Sequence, residues 1–198
     1  MSVDLRAQPT LTRSQLARRA RVVRAAQELG AEGGYDAVQM RDVAARADVA
    51  LGTIYRYFPS KDVLLLAVMV QWLGELEQRV MERPPRGATT VDRIMDVLER
   101  ALRSMDREPL LTRAVIAAMT SGEPASVDAI GEVTETMARI MRSAFPADVD
   151  ATVEASAAKV LGHVWWSATI SWANGMGDMG WVAGEIREAA ELIADRFG

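Results

Sequence analysis

The sequence predicts an all-α protein, in which a three-helix N-terminal domain with a helix-turn-helix precedes a larger domain of six helices. Apolar residues recur at helical spacing along most of the 198 residues, and no stretch of four or more residues alternates convincingly between apolar and polar. Charge divides the chain in the same way. Residues 1–62 hold ten Lys and Arg against seven Asp and Glu, whereas residues 63–198 hold thirteen against twenty. Such asymmetry is typical of a basic nucleic-acid-binding end on an acidic body.

The composition excludes several other classes of protein. Hydrophobic residues make up 49% of the chain and charged residues 25%, as in ordinary globular proteins. With no cysteine, one histidine and no HExxH or GxSxG motif, the sequence predicts no catalytic residues, no metal site and no cofactor. The N-terminus lacks the apolar segment of a signal peptide, and the longest nearly apolar run, residues 160–173, is too short to span a bilayer. We therefore expect a cytoplasmic protein without membrane contact.

The first helix is basic and ends at a glycine pair. Residues 1–10 show no periodicity and are expected to form a mobile arm. Thr12 is predicted to cap a helix over residues 13–32, which carries an apolar stripe and several arginines. Gly33 and Gly34 are predicted to end it, because glycine accepts the backbone conformation that helix C-termini commonly need.

Residues 39–61, QMRDVAARADVALGTIYRYFPSK, contain two short helical patterns around a tight turn. The first covers residues 40–47, and Asp48 follows where the turn needs a left-handed residue, which Asp tolerates well. The second covers residues 50–57. This arrangement predicts a helix-turn-helix whose second helix enters the major groove of DNA.

The second of these helices has one face for the core and one for DNA. Ile54 and Phe58 are predicted to point into a three-helix core, while Lys61 begins the next helix, where it can hold a phosphate. Exposed aromatic side chains beside basic ones would lack a purpose in a plain helical hairpin. The residues predicted to lie largely on the outward side are Leu51, Gly52, Thr53, Arg56 and Tyr57.

Six further helices follow, each bounded by a recognisable start or stop signal. Ser60 is predicted to cap the fourth, Thr89 and Asp92 to form a capping box for the fifth, and Pro109 to open the sixth. The paired prolines after residue 83 and the glycines at 175 and 177 separate neighbouring helices. The predicted ranges are 60–82, 91–105, 110–120, 125–144, 148–173 and 180–197.

Three sequence blocks together closely resemble the DNA-binding domain of the TetR family: EGGYDA at 32–37, RDVA at 41–44 and GTIYRYFPSK at 52–61. The resemblance implies a homodimeric, all-helical regulator, in most members a repressor. Residues 1–62 would then bind a palindromic operator in double-stranded DNA, and residues 63–198 would bind a small apolar effector and dimerise. The resemblance places base contacts on Arg41, Leu51, Gly52 and Thr53, and phosphate contacts on Tyr55, Arg56, Tyr57 and Lys61.

Three positions depart from the family's pattern. Gln39 and Ala50 stand where the family usually has helix-capping hydroxyl residues, and each is expected to forgo about 1 kcal/mol of capping. Gly30 stands where the family usually buries an aromatic side chain, so we expect looser packing of the first helix against the fourth. None of these departures removes a DNA-contacting group.

A second resemblance concerns the effector. The segments QMR at 39–41, YRYFPSK at 55–61 and PLLT at 109–112 are similar to the KstR-like actinobacterial branch, which represses steroid and lipid catabolism genes. This implies a lipid- or steroid-derived inducer, often a coenzyme A thioester. Three alternatives stay open: a regulator of an efflux or detoxification gene that responds to a cationic or hydrophobic drug, a lipid-modifying enzyme, and a helical adaptor that binds protein alone.

The methionines and tryptophans beyond residue 63 are candidates for an adaptable apolar cavity, because methionine adjusts its shape to a ligand. An anionic effector would also need a cation, for which Arg100, Arg103, Arg107 and Arg113 are candidates, although the acidic balance of this half suits a cationic ligand. The predicted cavity residues are Met69, Trp72, Met95, Leu98, Leu102, Met105, Met119, Met137, Met141 and Trp165.

The last two helices are the expected dimer interface, since in the TetR family they pair with their copies in a four-helix arrangement. Small residues on the eighth helix would permit close packing there. The only histidine, His163, lies on the same helix and is expected to be packed or hydrogen-bonded rather than to bind a ligand. The predicted interface residues are Ala155, Ala158, Gly162, Trp166, Ile186 and Ile193.

Overall fold

The computed structural model describes residues 12–194, and over this range the chain folds into nine α-helices with no β-strand. The predicted all-α fold is confirmed. Within the same range no helix is long and apolar enough to cross a membrane. The predicted mobile arm and the end of the predicted ninth helix lie outside the described residues. The helices are α1 (Arg13–Ala37), α2 (Met40–Ala47), α3 (Leu51–Tyr57), α4 (Lys61–Glu82), α5 (Thr90–Arg107), α6 (Pro109–Thr120), α7 (Val127–Arg142), α8 (Ala151–Ala173) and α9 (Met179–Ala194).

Side-chain caps fix several helix starts at the predicted positions. Thr12 and Gln15 form a reciprocal capping box at the start of α1, and Thr89 and Asp92 form another at the start of α5. The hydrogen bond from Thr89 also lowers the pKa of the Asp92 carboxyl. Ser60 accepts a hydrogen bond from the first turn of α4. All three capping predictions are confirmed.

Two helix starts in the C-terminal half were predicted wrongly. The eighth helix begins at Ala151 rather than at residue 148, because the Asp150 carboxylate accepts hydrogen bonds from the backbone of the first turn and caps the helix there. The predicted start at residue 125 is a single 3-10 turn, Pro124–Ser126, which leads into α7. Pro124 fits the first position of this turn, and the Glu123 carboxylate caps it by accepting a hydrogen bond from the backbone N–H of Ala125.

The glycine pair interrupts α1 as predicted. Gly33 has φ −146° and ψ 17°, and Gly34 has φ 70° and ψ −155°, so helical geometry stops at this point. The positive φ of Gly34 is accessible to glycine at little cost. A short turn after the break then brings Tyr35 towards the start of α4, where its side chain reaches Asp62.

The buried side chains form two clusters that share α4 and α6. The first, here called the DNA-side core, contains residues of α1 to α4 together with one face of α6; the second contains residues of α4 to α9. Met69 on α4 and Met119 on α6 pack against both clusters. The α6 residues in the DNA-side core are Leu111, Ala114, Val115 and Ala118.

The close approach of α1 to α6 depends on Gly30. A Cβ atom added at Gly30 would lie 2.6 Å from Cδ1 of Leu111, well inside contact distance. Gly30 is buried, and the position of its missing side chain faces Leu111 of α6 and not the fourth helix, where the sequence analysis expected its effect. The missing side chain instead lets α6 pack directly on the α1 backbone, and α1 makes its most extensive helix contact with α6.

Gly30→Ala is expected to destabilise the protein. The added methyl group overpacks the contact with Cδ1 of Leu111, which typically costs about 1–3 kcal/mol in the free energy of unfolding, against a gain of up to about 1 kcal/mol from helix propensity. The matched control is Gly74→Ala on α4, where an added Cβ meets no atom within 4 Å. That control should gain up to about 1 kcal/mol from helix propensity. Urea unfolding of both variants checks the pair, and equal stabilisation by both would contradict the prediction.

Candidate functional site

The helix-turn-helix has the predicted geometry. Asp48 ends α2 in the left-handed conformation, with φ 50° and ψ 56°. Ile54 and Phe58 anchor α3 in the DNA-side core with 0% and 1% of their surfaces exposed. Neither Gln39 nor Ala50 contributes a side-chain capping bond to α2 or α3, as predicted. The short recognition helix is therefore held mainly by its buried face.

Polar contacts tie α2 to α1. The Nε atom of Arg21 donates to the carbonyl of Ala47 at the end of α2, over 3.1 Å. Nη1 of Arg46 lies 2.6 Å from a carboxylate oxygen of Glu32, and this hydrogen bond lowers the pKa of the Glu32 carboxyl. Because Arg46 and Glu32 are largely exposed, their ion pair adds little stability to the contact between α2 and α1.

Most of the predicted DNA-contacting side chains face solvent on one side of α2 and α3. Arg41, Tyr55 and Arg56 are exposed, and Leu51 and Thr53 are half-buried. Gly52 is exposed too, and a Cβ there would meet no atom within 4 Å, which leaves room for DNA to approach closely. Neither Arg41 nor Arg56 forms an ion pair with another residue between 12 and 194.

Tyr57 differs from its predicted outward placement. Its ring packs against the DNA-side core, and its hydroxyl is buried without a hydrogen-bond partner among the described residues. The Arg56 guanidinium covers the ring at 5.4 Å from the ring centroid. A phosphate contact by the Tyr57 hydroxyl would therefore require the side chain to rotate outwards. Such a rotation would also relieve the cost of an unpaired buried hydroxyl.

Lys61 is held in place by a side-chain cluster that the sequence did not predict. Its Nζ atom lies 3.6 Å from the centroid of the Tyr35 ring and donates to the Tyr35 carbonyl over 3.3 Å. The Tyr35 hydroxyl in turn donates to Oδ1 of Asp62 over 2.6 Å, and Asp62 is only 8% exposed. This cluster joins the break in α1 to the first turn of α4 and presents the ammonium group beside the recognition helix.

The Tyr35 contact predicts a change of stability at alkaline pH. Burial and the hydrogen bond to Asp62 raise the pKa of Tyr35 from 10.0 to about 12. The neutral phenol therefore stabilises the fold fully below pH 10, and this contribution is lost as the pH rises through about 12. Tyr35→Phe should remove that part of the decline in the free energy of unfolding, measured by urea titration across this pH range.

Tyr55→Phe is the control for this measurement, because Tyr55 is 49% exposed and its hydroxyl is solvated. It should keep the pH dependence of the original chain. A Tyr35→Phe protein whose stability declines between pH 10 and 12 as steeply as that of the Tyr55 variant would contradict the prediction.

A cavity of about 740 Å³ lies between α4, α5, α6, α7 and α8. Seven of the ten predicted residues line it. The other three, Met95, Leu98 and Leu102, are at most 4% exposed and belong to the core of the C-terminal half, so their assignment to the cavity was wrong. The cavity meets α5 only near its C-terminal end. The predicted residues that line it are Met69, Trp72, Met105, Met119, Met137, Met141 and Trp165.

Charged groups on the cavity wall are mostly basic. Arg79 and Arg142 lie within 4 Å of Glu75 and Glu154, whereas Arg107 and Lys159 form no ion pair within residues 12–194. His163 is exposed and also lines the cavity, whereas the sequence predicted that it is packed or hydrogen-bonded. The wall thus combines apolar side chains with free positive charge, which suits a ligand with an apolar body and an anionic group.

Only one of the four arginines proposed from the sequence lines the cavity, namely Arg107. Arg100 is bonded to Asp96 and to the Arg83 carbonyl. Arg103 pairs with Glu99, and the Arg113 guanidinium lies 5.1 Å from the Trp172 ring centroid. These three side chains are engaged away from the cavity.

The predicted dimer residues divide between the cavity and the core. Ala155, Ala158, Gly162 and Trp166 line the cavity, and Ala155 is exposed, so their predicted place in a dimer interface stays a prediction. Ile186 is 0% exposed inside the protomer, so its assignment to the dimer interface was wrong, and Ile193 is half-buried. Three large apolar side chains of these two helices are exposed and were not predicted from the sequence, namely Val160, Trp181 and Leu192.

Two family descriptions match this chain. Residues 22–68 match bacterial regulatory proteins of the tetR family, and residues 87–193 match the tetracyclin repressor-like C-terminal domain. The HTH-type transcriptional repressor KstR of Rhodococcus jostii is 33% identical over 180 residues, which cover 91% of this chain and 84% of that protein.

Solved structures show the same fold. A TetR transcriptional regulator from Rhodococcus sp. RHA1 has a TM-score of 0.83 and 33% identity, covering 93% of this chain and all of that one. FadR of Thermus thermophilus, a transcriptional repressor in complex with lauroyl-CoA, has a TM-score of 0.69 and 21% identity, covering 88% and 92% of the two chains. At that identity the second likeness concerns the fold alone.

Proposed function

The chain belongs to the TetR family of bacterial regulatory proteins as a transcriptional repressor, and we propose that it binds a palindromic operator as a homodimer and leaves it when an acyl-coenzyme A type effector fills the cavity. The exposed face of α3 carries the DNA-binding part of this proposal. Arg56 on α3 and Arg41 on the neighbouring α2 are free of ion pairs among the described residues, and Gly52 leaves the backbone of α3 open. In a helix-turn-helix this face meets base edges and phosphates.

The cavity supports the effector class. A volume of about 740 Å³ accommodates a long acyl chain or a fused-ring body, and Arg107 and Lys159 offer charge for phosphate or carboxylate groups. The FadR structure, which shares the fold, contains lauroyl-CoA, and the resemblance to the KstR-like branch implies a lipid- or steroid-derived effector, so we favour an acyl thioester. A cationic drug is the second candidate because Glu75 and Glu108 also line the wall, but Glu75 already pairs with Arg79.

The proposed switch acts through α4. This helix begins at Lys61 beside the recognition helix and lines the cavity with Met69 and Trp72. Its 22 residues span about 33 Å, so it links the two functional regions directly. An effector changes operator binding only if it binds one orientation of α4 more tightly than the other.

The homodimer is proposed to form along the outer faces of α8 and α9. Val160, Trp181 and Leu192 expose apolar surface there, with 46%, 38% and 78% of their surfaces accessible. Burial of such a face against its own copy is the usual basis of a two-fold dimer. Sedimentation of the purified protein tests this part separately.

The whole proposal is tested by selecting binding sequences from random double-stranded DNA and then titrating the complex with lauroyl-CoA and stearoyl-CoA. We expect a palindromic consensus, strongly salt-dependent affinity, and release of DNA by at least one thioester but not by coenzyme A alone. Failure to enrich any consensus would overturn the assignment. Turnover of a thioester by the purified protein would instead favour an enzyme.

A further inference from the structure

One residue of the cavity wall comes from the DNA-binding domain itself. Gln27 lies on α1, yet it lines the cavity together with Val68 of α4 and with Leu111 and Val115 of α6. These three neighbours are apolar members of the DNA-side core. The cavity therefore extends beyond the C-terminal half and reaches the first helix of the domain that binds DNA.

The Gln27 side chain is free to bind an occupant of the cavity. It is half-buried, and its amide makes no hydrogen bond to any group in residues 12–194. An amide without a partner on an apolar wall can both donate to and accept from a ligand. A carbonyl or hydroxyl group on the apolar part of a ligand would match it, whereas a plain alkyl chain would leave the half-buried amide unpaired at a cost.

The packing around Gln27 leaves little room for the wall to yield. Gly30 lies three residues further along the same face of α1, where an added Cβ would come within 2.6 Å of Cδ1 of Leu111. Leu111 is itself 8% exposed and forms part of the wall. A group that displaces Gln27 or Leu111 therefore presses on the contact between α1 and α6, and close-packed interiors transmit part of such a displacement.

We propose that Gln27 is an effector-contacting residue, through which an occupant of the cavity acts directly on α1 and not only through α4. This inference rests on the proposed effector function and adds two points to it. The DNA-binding domain supplies part of the effector site, and Gln27 favours ligands that carry a polar group on their apolar part.

The first test measures coupling between DNA and effector. In Gln27→Leu the side chain keeps nearly the same size but loses both hydrogen-bonding groups. DNA affinity is measured with and without stearoyl-CoA, and with and without the CoA thioester of a hydroxylated fatty acid. The factor by which each thioester lowers DNA affinity is then compared between the Gln27→Leu variant and the original chain. We expect the factor for the hydroxylated thioester to fall about fivefold or more. Gln78→Leu makes the same change at an exposed residue of α4 outside the cavity and should leave the factor unchanged. An unchanged factor in the Gln27 variant would overturn the inference.

The second test needs no ligand. Gln27→Trp fills the α1 end of the cavity, and Gln78→Trp, at an exposed position of α4 outside the cavity, is the matched control. We expect Gln27→Trp to weaken DNA binding about tenfold or more and Gln78→Trp to change it much less. Adding Val115→Ala to Gln27→Trp should restore the affinity by making room. Unchanged affinity in Gln27→Trp, or a loss that Val115→Ala does not restore, would count against the inference.

The two tests separate this inference from the proposed effector class. If neither thioester binds the original chain, the proposed class is wrong, and the tryptophan variants still decide whether bulk beside Gln27 reaches the DNA-binding domain. If the thioesters bind and release DNA but both Gln27 variants behave like the original chain, the effector class stands and the role of Gln27 is wrong.

Discussion

Replacement of both Arg41 and Arg56 by alanine is expected to weaken operator binding by about 2–6 kcal/mol per dimer, or roughly 30-fold to 10⁴-fold. Arg41 is assigned a base contact, each of which typically contributes about 1–3 kcal/mol, and a dimer has two. Arg56 is assigned a phosphate contact, so its loss should also lower the dependence of affinity on salt. Fluorescence anisotropy with the selected duplex at several salt concentrations measures both effects.

This prediction has a clean control because neither arginine forms an ion pair within the described part of the chain. The double variant should therefore melt at nearly the temperature of the original protein. Arg86→Ala removes an exposed arginine between α4 and α5, away from the DNA-binding domain, and should leave affinity nearly unchanged. Equal affinities of the double variant and the Arg86 control would contradict the assigned interface.

Phe58→Ala is expected to lower the free energy of unfolding by about 3–5 kcal/mol. Phe58 is 1% exposed in the DNA-side core, and the Arg19 guanidinium covers its ring at 5.1 Å from the centroid. Truncation removes the anchor that follows the recognition helix and leaves a cavity beneath it. Operator binding should be lost at temperatures well below those at which the original protein releases DNA.

Phe145→Ala makes the same truncation in the other core, where Phe145 is 8% exposed. Since Met69 and Met119 pack against both cores, each variant should unfold in one transition that lowers helicity and DNA binding together. Two well-separated transitions in either variant, followed by circular dichroism during heating, would show that the cores unfold independently and would contradict this expectation.

Local chemistry in the sequence was sufficient to predict most of the fold. Thr12, Ser60 and Thr89 each cap a helix with their own side-chain oxygen, and Asp48 ends α2 by adopting a left-handed conformation. These interactions join residues at most a few positions apart, so they can be recognised without knowledge of the tertiary structure. The resemblance of residues 32–61 to the TetR family supplied the arrangement of the N-terminal helices.

The cavity was predicted only in part because helical spacing does not say which neighbour a helix face meets. Met95, Leu98, Leu102 and Met105 lie on one stripe of α5, at intervals of three or four residues. Only Met105, near the C-terminal end of the stripe, reaches the cavity, while the others pack in the core. The position of the cavity along α5 depends on how α6, α7 and α9 pack against it, which the sequence of α5 does not specify.

The same limit explains the other errors. The Tyr57 hydroxyl turns inwards and Ile186 faces the protomer core, although neighbours of both residues on the same helices are exposed. Gly30 indicated a missing side chain, but only the structure identifies Leu111 as the residue that occupies the space. Tyr35 and Asp62 were missed because their hydrogen bond joins residues 27 positions apart.

The sharing of α6 between the two cores has a consequence for protein engineering. Regulators of this architecture invite chimaeras, in which one protein's operator specificity is joined to another's ligand response. A graft made at residue 62 would carry α1 to α3 but leave behind Leu64 and Leu65, as well as the α6 face that begins at Leu111. A functional hybrid would therefore have to transplant the DNA-side surface of α6 along with the helix-turn-helix, or redesign both sides of that contact together.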